Sequence, residues 1–237
     1  MCPWTSVKLQ VFRFNRAIVR QPARSVVDGL RANDRGNPTY DGIRAEHDAY
    51  VVALRSAGVA VTVLPALEDF PDSLFVEDPA LVFTEGAILL RPGAPSRAAE
   101  AGELAPTLRG LFDVMFALPT GCADGGDVLV TPGHVIIGLS DRTNRPGAEA
   151  LTACLAELGR KARIVETPSD VLHLKSACSL LDDKTMLCTP ALASSGIFER
   201  FRQIVTPAGE DAAANALRVN DVVLAGAGFP RTIERLG

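Results

Sequence analysis

Apolar positions in this chain fall in short β-branched runs, broken by polar turn pairs and interleaved with longer stretches of helical spacing. Val7–Arg13 and Ala17–Arg20 flank Asn15-Arg16 and predict a hairpin. Ile43, Tyr50, Val51 and Leu54 then set a helix over Tyr40–Ala57, and Val59–Leu64 follows as a strand. The same order returns with strands Ala80–Thr84 and Ala87–Arg91, a helix over Ser96–Phe112, and a strand Val114–Leu118. A third group has Val128–Thr131 and His134–Ile137 around a Pro-Gly pair, a helix near Gly147–Leu158, and Ala162–Glu166. A fourth has Ser176–Leu181, Thr185–Cys188, a helix over Ser194–Arg202, and Ile204-Val205. The fifth opens with Asn215–Val219 and Val222–Ala225, and Pro230–Leu236 begins a helix, as proline in a first turn allows.

A hairpin, helix and strand recurring every 40 to 50 residues or so is the signature of a structural repeat. Four and a half such ββαβ modules predict an α/β ring closed about an axis, with strand ends meeting at a central cavity. The fifth module has no closing strand before Gly237, so the ring is expected to stay open there. An open doubly wound sheet is the alternative; hairpins outnumber single strands, and no G-x-G-x-x-G is present, which favours the ring. No low-complexity linker divides the chain, so residues 1–237 are read as one domain, with 1–16 as an extra strand or extension.

Composition narrows the partners. A formal charge of −4 and a pI near 5.5 argue against a general nucleic-acid or membrane-surface binder. No uncharged apolar run approaches the length of a membrane span, and residues 1–16 do not read as a secretory signal. Five cysteines without a C-x-x-C pair read as reduced thiols of a cytoplasmic protein. The three histidines lack metal-ligand spacing, so no metal and no cofactor are expected.

Candidate chemistry gathers in three places. Asp124-Gly125-Gly126-Asp127 places two acids around a glycine pair at a strand entry, where close approach of a ligand or a second chain segment would require glycine. Arg142 and Asn144 follow the same hairpin; a plain tight turn with a solvated arginine is the alternative reading. Asp72, Glu77 and Asp78 stand among Phe70, Leu74, Phe75 and Val76, where partly desolvated carboxylates call for a cation. A guanidinium is planar and carries paired N–H donors that match carboxylates; a polar loop before Pro79 is the simpler account. His173 enters a strand where most histidines are structural, but its place in the fourth module nearly repeats that of Asp124 in the third. A carboxylate orienting an imidazole is a general acid–base arrangement. His47 and His134 are expected at the surface, Cys154, Cys178 and Cys188 as buried thiols, and Cys122 as the thiol nearest Asp124.

These motifs, with Pro22–Leu30, Gly93–Arg97, Leu139–Ala148, Val171–Ser179 and Gly228–Thr232, resemble the dimethylarginine dimethylaminohydrolases, guanidine-modifying enzymes of the pentein superfamily. The resemblance implies a five-bladed pseudo-symmetric α/β propeller whose last module is incomplete here. It implies hydrolysis of an Nω-methylated arginine to citrulline and methylamine or dimethylamine. Asp72, Glu77 and Asp78 would face the guanidinium, with Phe75 beside it; Arg97 and Arg142 would hold the α-carboxylate, and Leu30 would belong to a covering loop. His173 would be the general acid and base, and Asp124 its orienting partner. A cysteine thiolate would attack the guanidinium carbon and pass through a thiouronium intermediate. In the family that cysteine follows Gly-Phe-Pro-Arg-Thr by some two dozen residues, beyond the end of this sequence, so the chain as given is expected to bind better than it turns over; Cys2 and Cys122 are the other thiols considered. The partner implied is a small molecule, with a homodimer compatible. The alternatives are an arginine or agmatine deiminase, or a non-catalytic propeller such as a ribosome anti-association factor.

Overall fold

The computed structural model describes residues 11–31 and 36–237. Its strands form five small sheets, one for each predicted module. The second is built from β3 (Ala80–Phe83), β4 (Gly86–Leu89) and β5 (Met115–Ala117), the third from β6 (Val128–Val130), β7 (Val135–Leu139) and β8 (Ala162–Glu166), and the fourth from β9 (Cys178–Leu180), β10 (Thr185–Cys188) and β11 (Arg202–Val205). In each, the first two strands are an antiparallel hairpin and the third pairs parallel to the second. That parallel return needs a crossover, which the helices α2 (Glu100–Arg109), α3 (Arg145–Glu157) and α4 (Pro190–Ser194) supply. β4, β7 and β10 lie in the middle and are buried along almost their whole length, which is why their sequences read as unbroken apolar runs.

The first sheet pairs β1 (Arg16–Arg20) parallel to β2 (Ala60–Leu64) across α1 (Tyr40–Ser56); the fifth pairs β12 (Leu217–Val219) antiparallel to β13 (Val222–Leu224), followed by α5 (Pro230–Leu236). Apolar clusters join neighbours in order. Ile18 and Leu64 pack on Ala80, Ala87 and Leu104; Ile88 packs with Val128, Ile137 and Leu151; Leu129 and Ile136 pack with Cys178, Met186 and Phe198. Arg218 and Arg235 of the fifth module donate to the carbonyls of Leu181 and Val205 in the fourth. Val219 and Leu224 then join Val19, Val51, Leu54 and Val59 of the first module. The five modules therefore follow one another round a cycle, an α/β propeller of mixed sheets.

The fifth sheet has two strands, and its hairpin turn is hydrogen-bonded to the first module. Asn220 sits in the left-handed region at φ 53, accepts from Phe14 N at 2.9 Å, and donates to the carbonyls of Phe14 and Ala57 at 3.0 and 2.8 Å. Of the predicted strand Val7–Arg13, residues 7–10 lie outside the described residues, and β1 has no hairpin partner among those described.

Two helices differ from expectation. The predicted Ser96–Phe112 helix is split into a 3-10 turn, Pro95–Arg97, and the shorter α2, because the turn carries the Arg97 side chain into the interior. The predicted Ser194–Arg202 helix lies earlier, at α4: Thr189 accepts from Leu192 N, Pro190 occupies the first turn, and Gly196 at φ 79 follows the end. No helix among the described residues is long and apolar enough to cross a membrane.

Asn220→Ala should lower stability by about 2–4 kcal/mol, since three side-chain hydrogen bonds and a tolerated left-handed conformation are lost together. Asn220→Gly should recover only the backbone share. Urea denaturation of the three proteins separates these contributions, and equal midpoints for alanine and wild type would remove Asn220 as a fastening.

Candidate active site

Asp124 and His173 occupy matching places in consecutive modules: each directly precedes a 3-10 turn, Gly125–Asp127 in the third and Leu174–Ser176 in the fourth. His173 therefore caps a turn rather than entering a strand, which begins only at Cys178. Its Nε2 lies 3.0 Å from Asp124 Oδ2. Asp124 is fully buried; its Oδ1 accepts from Gly93 N at 2.7 Å and its own N–H donates to Thr143 Oγ1 at 3.1 Å. Asp127 ties the two turns together, accepting from Leu174 N at 2.9 Å, Ser140 Oγ at 2.6 Å and Thr143 Oγ1 at 2.7 Å.

The glycine pair serves close approach of a second chain segment. A Cβ on Gly125 would overlap the carbonyl oxygen of Glu77, and one on Gly126 would lie 3.0 Å from the His173 ring. The acid loop and the imidazole thus meet at one glycine pair.

The acids of the loop have distinct fates. Asp72 is buried, and its two oxygens accept from Leu30 N at 3.1 and 3.2 Å. Asp78 is buried between Gly126 N, which donates to Oδ1 at 2.9 Å, and Arg97 Nη1 on Oδ2. Glu77 receives Lys175 Nζ on Oε2 at 2.8 Å, and its side chain remains 61% exposed. Of the eight carboxylate oxygens on Asp72, Glu77, Asp78 and Asp124, only Glu77 Oε1 has no partner among the described residues.

Arg97, expected at the α-carboxylate, lies against the acid loop. It is buried, and its N–H groups reach Glu100 Oε1 and Oε2, Asp78, and the carbonyls of Asp72 and Phe75. All of these contacts are internal, with one Nη1 N–H left without a partner among the described residues, so Arg97 braces the acid loop. Arg142 is half-buried, and its guanidinium has no hydrogen bond or ion pair among the described residues. Its backbone lies so close to Gly93 that a Cβ there would overlap it. Phe75 is exposed, with the Arg97 guanidinium 6.0 Å from its ring centre, and Leu30 is exposed on the segment after the Arg24–Asp28 turn, where its N–H meets Asp72. Asn144 caps α3 through Gly147 N and also accepts from Cys122 N, fixing the loop that leads to Asp124.

Electrostatics follow from these contacts. Burial pulls the His173 pKa down, but the bond to Asp124 and the fields of Asp127, Asp78 and Asp124 outweigh it and hold the imidazole above its ordinary value. Lys175 holds Glu77 below the usual carboxylate range. Burial raises Asp78 and Asp127 against the opposing effects of Arg97 on the first and Ser140 and Thr143 on the second.

Several expectations change. His47 is buried on α1 rather than at the surface, although His134 is exposed. Cys154, Cys178 and Cys188 are buried free thiols, with burial pushing Cys188 up to about 11 and Cys178 higher still. Cys122 is half-buried and makes no hydrogen bond to His173 or Asp124. Asp78, Asp124 and His173 offer ligand atoms within 4.8 Å of one another, a grouping the sequence did not suggest for a cation. Both oxygens of each carboxylate already have protein partners. Lys175, Glu100 and Thr143 were missed; only the repeat of turn positions after Asp124 and His173 could have pointed to Lys175.

The family model described as arginine deiminase matches residues 66–224, which sets the class: an α/β propeller enzyme of the arginine deiminase type. Within it, the chain belongs to the dimethylarginine dimethylaminohydrolase family. It is 38% identical over 225 residues to the N(G),N(G)-dimethylarginine dimethylaminohydrolase of Pseudomonas aeruginosa, covering 94% of this chain and 88% of that one. It is 35% identical to the enzyme of the same name from Streptomyces coelicolor, covering 93% and 85%. A solved structure of the Pseudomonas protein, a cysteine-to-serine mutant complexed with citrulline, superposes with a TM-score of 0.92 at 38% identity over 95% of this chain and 90% of that one. The N-terminal domain of a cyanobacterial arginine dihydrolase shares the fold at TM-score 0.79 and 18% identity, covering 94% and 88%.

Because the folded-state pKa of His173 is raised, the pairing with Asp124 contributes stability that is complete below the unfolded value of about 6.5 and is lost as pH rises through the folded value. Asp124→Asn should move the His173 titration downward in an NMR pH series and flatten that part of the stability profile. An unchanged His173 titration would show that the carboxylate does not support the imidazolium.

Proposed function

We propose that this chain hydrolyses Nω-methylated arginine, releasing methylamine or dimethylamine and leaving citrulline. The observation that carries the reading is the single uncommitted carboxylate oxygen, Glu77 Oε1, on a loop that meets the His173–Asp124 pair at one glycine turn. Glu77 receives the guanidinium, Phe75 packs beside it, and the free guanidinium of Arg142 takes the α-carboxylate. Asp72 and Asp78 contribute charge and hold Leu30 and the acid loop in place, with Arg97 as their brace.

The guanidinium carbon is a poor electrophile because resonance spreads its charge, so the reaction needs a strong nucleophile and a protonated leaving group. In this reading a cysteine thiolate adds to the carbon, and His173 gives its proton to the departing amine as the C–N bond breaks. The imidazole then takes a proton from water, whose oxygen adds to the thiouronium carbon. The C–S bond breaks, and the thiolate is restored as citrulline leaves. Burial and raised pKa values make Cys178 and Cys188 unsuited to the nucleophile's part, and Cys154 is likewise buried with its pKa raised. Four free thiols among the described residues fit a reducing cytoplasm.

The test is citrulline formation by the full natural chain from asymmetric dimethylarginine, monomethylarginine, arginine and agmatine, with binding measured separately by calorimetry. The methylated substrates should turn over. His173→Ala should lower kcat by about a hundredfold or more, and Glu77→Gln should weaken binding of every guanidinium ligand. Citrulline from arginine alone would favour a deiminase instead.

A further inference from the structure

We infer that Lys175 is a specificity-determining residue, one that selects a methylated over an unmethylated guanidinium by occupying half of the Glu77 carboxylate. The inference rests on the functional reading above. Lys175 stands two residues after His173, on the 3-10 turn that carries the imidazole, and reaches back to the acid loop. Its Nζ is 2.8 Å from Glu77 Oε2, and the Lys175 side chain is mostly covered while Glu77 remains open to solvent.

Counting donors and acceptors shows what this does. An arginine guanidinium has five N–H donors, and two methyl groups on one terminal nitrogen leave three. The other acids in the loop are buried and already accept from Leu30 N at Asp72 and from Arg97 and Gly126 N at Asp78, so the exposed Glu77 is the acid placed to meet a ligand's donors. With Lys175 on Oε2, the loop presents one unpartnered carboxylate oxygen to the ligand. A donor-poor guanidinium loses little in such a site. An unmethylated one must leave more N–H groups unpaired as it is desolvated, at roughly five- to a hundredfold in affinity for each buried orphan. The ammonium also lowers the negative potential at Glu77, which weakens the pull on both singly charged ligands alike and leaves the choice to donor pairing. Discrimination of this kind works against the wrong ligand rather than for the right one.

The experiment compares wild type, Lys175→Met and Lys175→Arg by calorimetric binding of arginine and asymmetric dimethylarginine, and by the ratio of kcat/KM for the two in the full chain. Lys175→Met keeps the length of the side chain but frees Glu77 Oε2, so arginine should gain on dimethylarginine by about tenfold in binding. Lys175→Arg should hold the wild-type preference, since its guanidinium still covers the carboxylate. If both ligands change by the same factor in Lys175→Met, or neither changes while the thermal midpoint is held, the specificity role is overturned. If wild type binds neither ligand, the reading of the site fails, and the role of Lys175 with it.

Discussion

A carboxylate taken out of water costs several kcal/mol unless donors or a cation meet it, and this constraint organises the centre of the molecule. Six acids, Asp72, Asp78, Glu100, Asp124, Asp127 and Glu210, are buried among the described residues. The first five stand around the candidate site and have found partners in other parts of the chain. Asp72 takes the Leu30 amide, Asp78 the Gly126 amide and Arg97, Glu100 the other side of Arg97, and Asp124 the Gly93 amide and His173. Asp127 holds the turn after His173. Except for the local Arg97–Glu100 pair, each requirement links two modules or two loops, so satisfying the charges also sets the register of the ring at its centre.

That registration explains why the chemistry sits on short turns instead of strands. Equivalent positions in the third and fourth modules carry an acid and an imidazole, and the glycines between them let backbone from the second module come within contact of both. A site assembled this way is rigid where the acids are buried and open where Glu77, Phe75 and Leu30 remain exposed. On the proposed reading, a rigid imidazole–carboxylate pair next to an accessible carboxylate suits a ligand that enters guanidinium first. The same arrangement places Arg97 and Lys175 differently: one cation is buried among internal partners, and the other pairs with Glu77 at the exposed side of the acid loop.

The ring itself is held by ordinary apolar packing. Each cluster spans two neighbouring modules, and the central strands are apolar on both faces because helices and adjacent sheets cover them. The polar fastening at Asn220 appears where the fifth module meets the first, at a contact between residues more than two hundred positions apart.

Local chemistry determined much of this from the sequence. Periodicity and turn residues placed every hairpin strand from Ala80 onward to within a few residues, and the Gly125-Gly126 pair announced a close approach before its partner was known. The pairing of Asp124 with His173 was legible because the modules repeat, and matching positions in a ring point inward together. Partnerships between distant charges were not legible. Arg97 reads as a ligand-binding cation in sequence and becomes an internal brace only because Glu100 and Asp78 are buried around it; His47 looks solvated between Glu46 and Asp48 until its helix face is covered. Whether a charge meets solvent, a ligand or another side chain depends on which segments are brought beside it, and only the tertiary structure decides that.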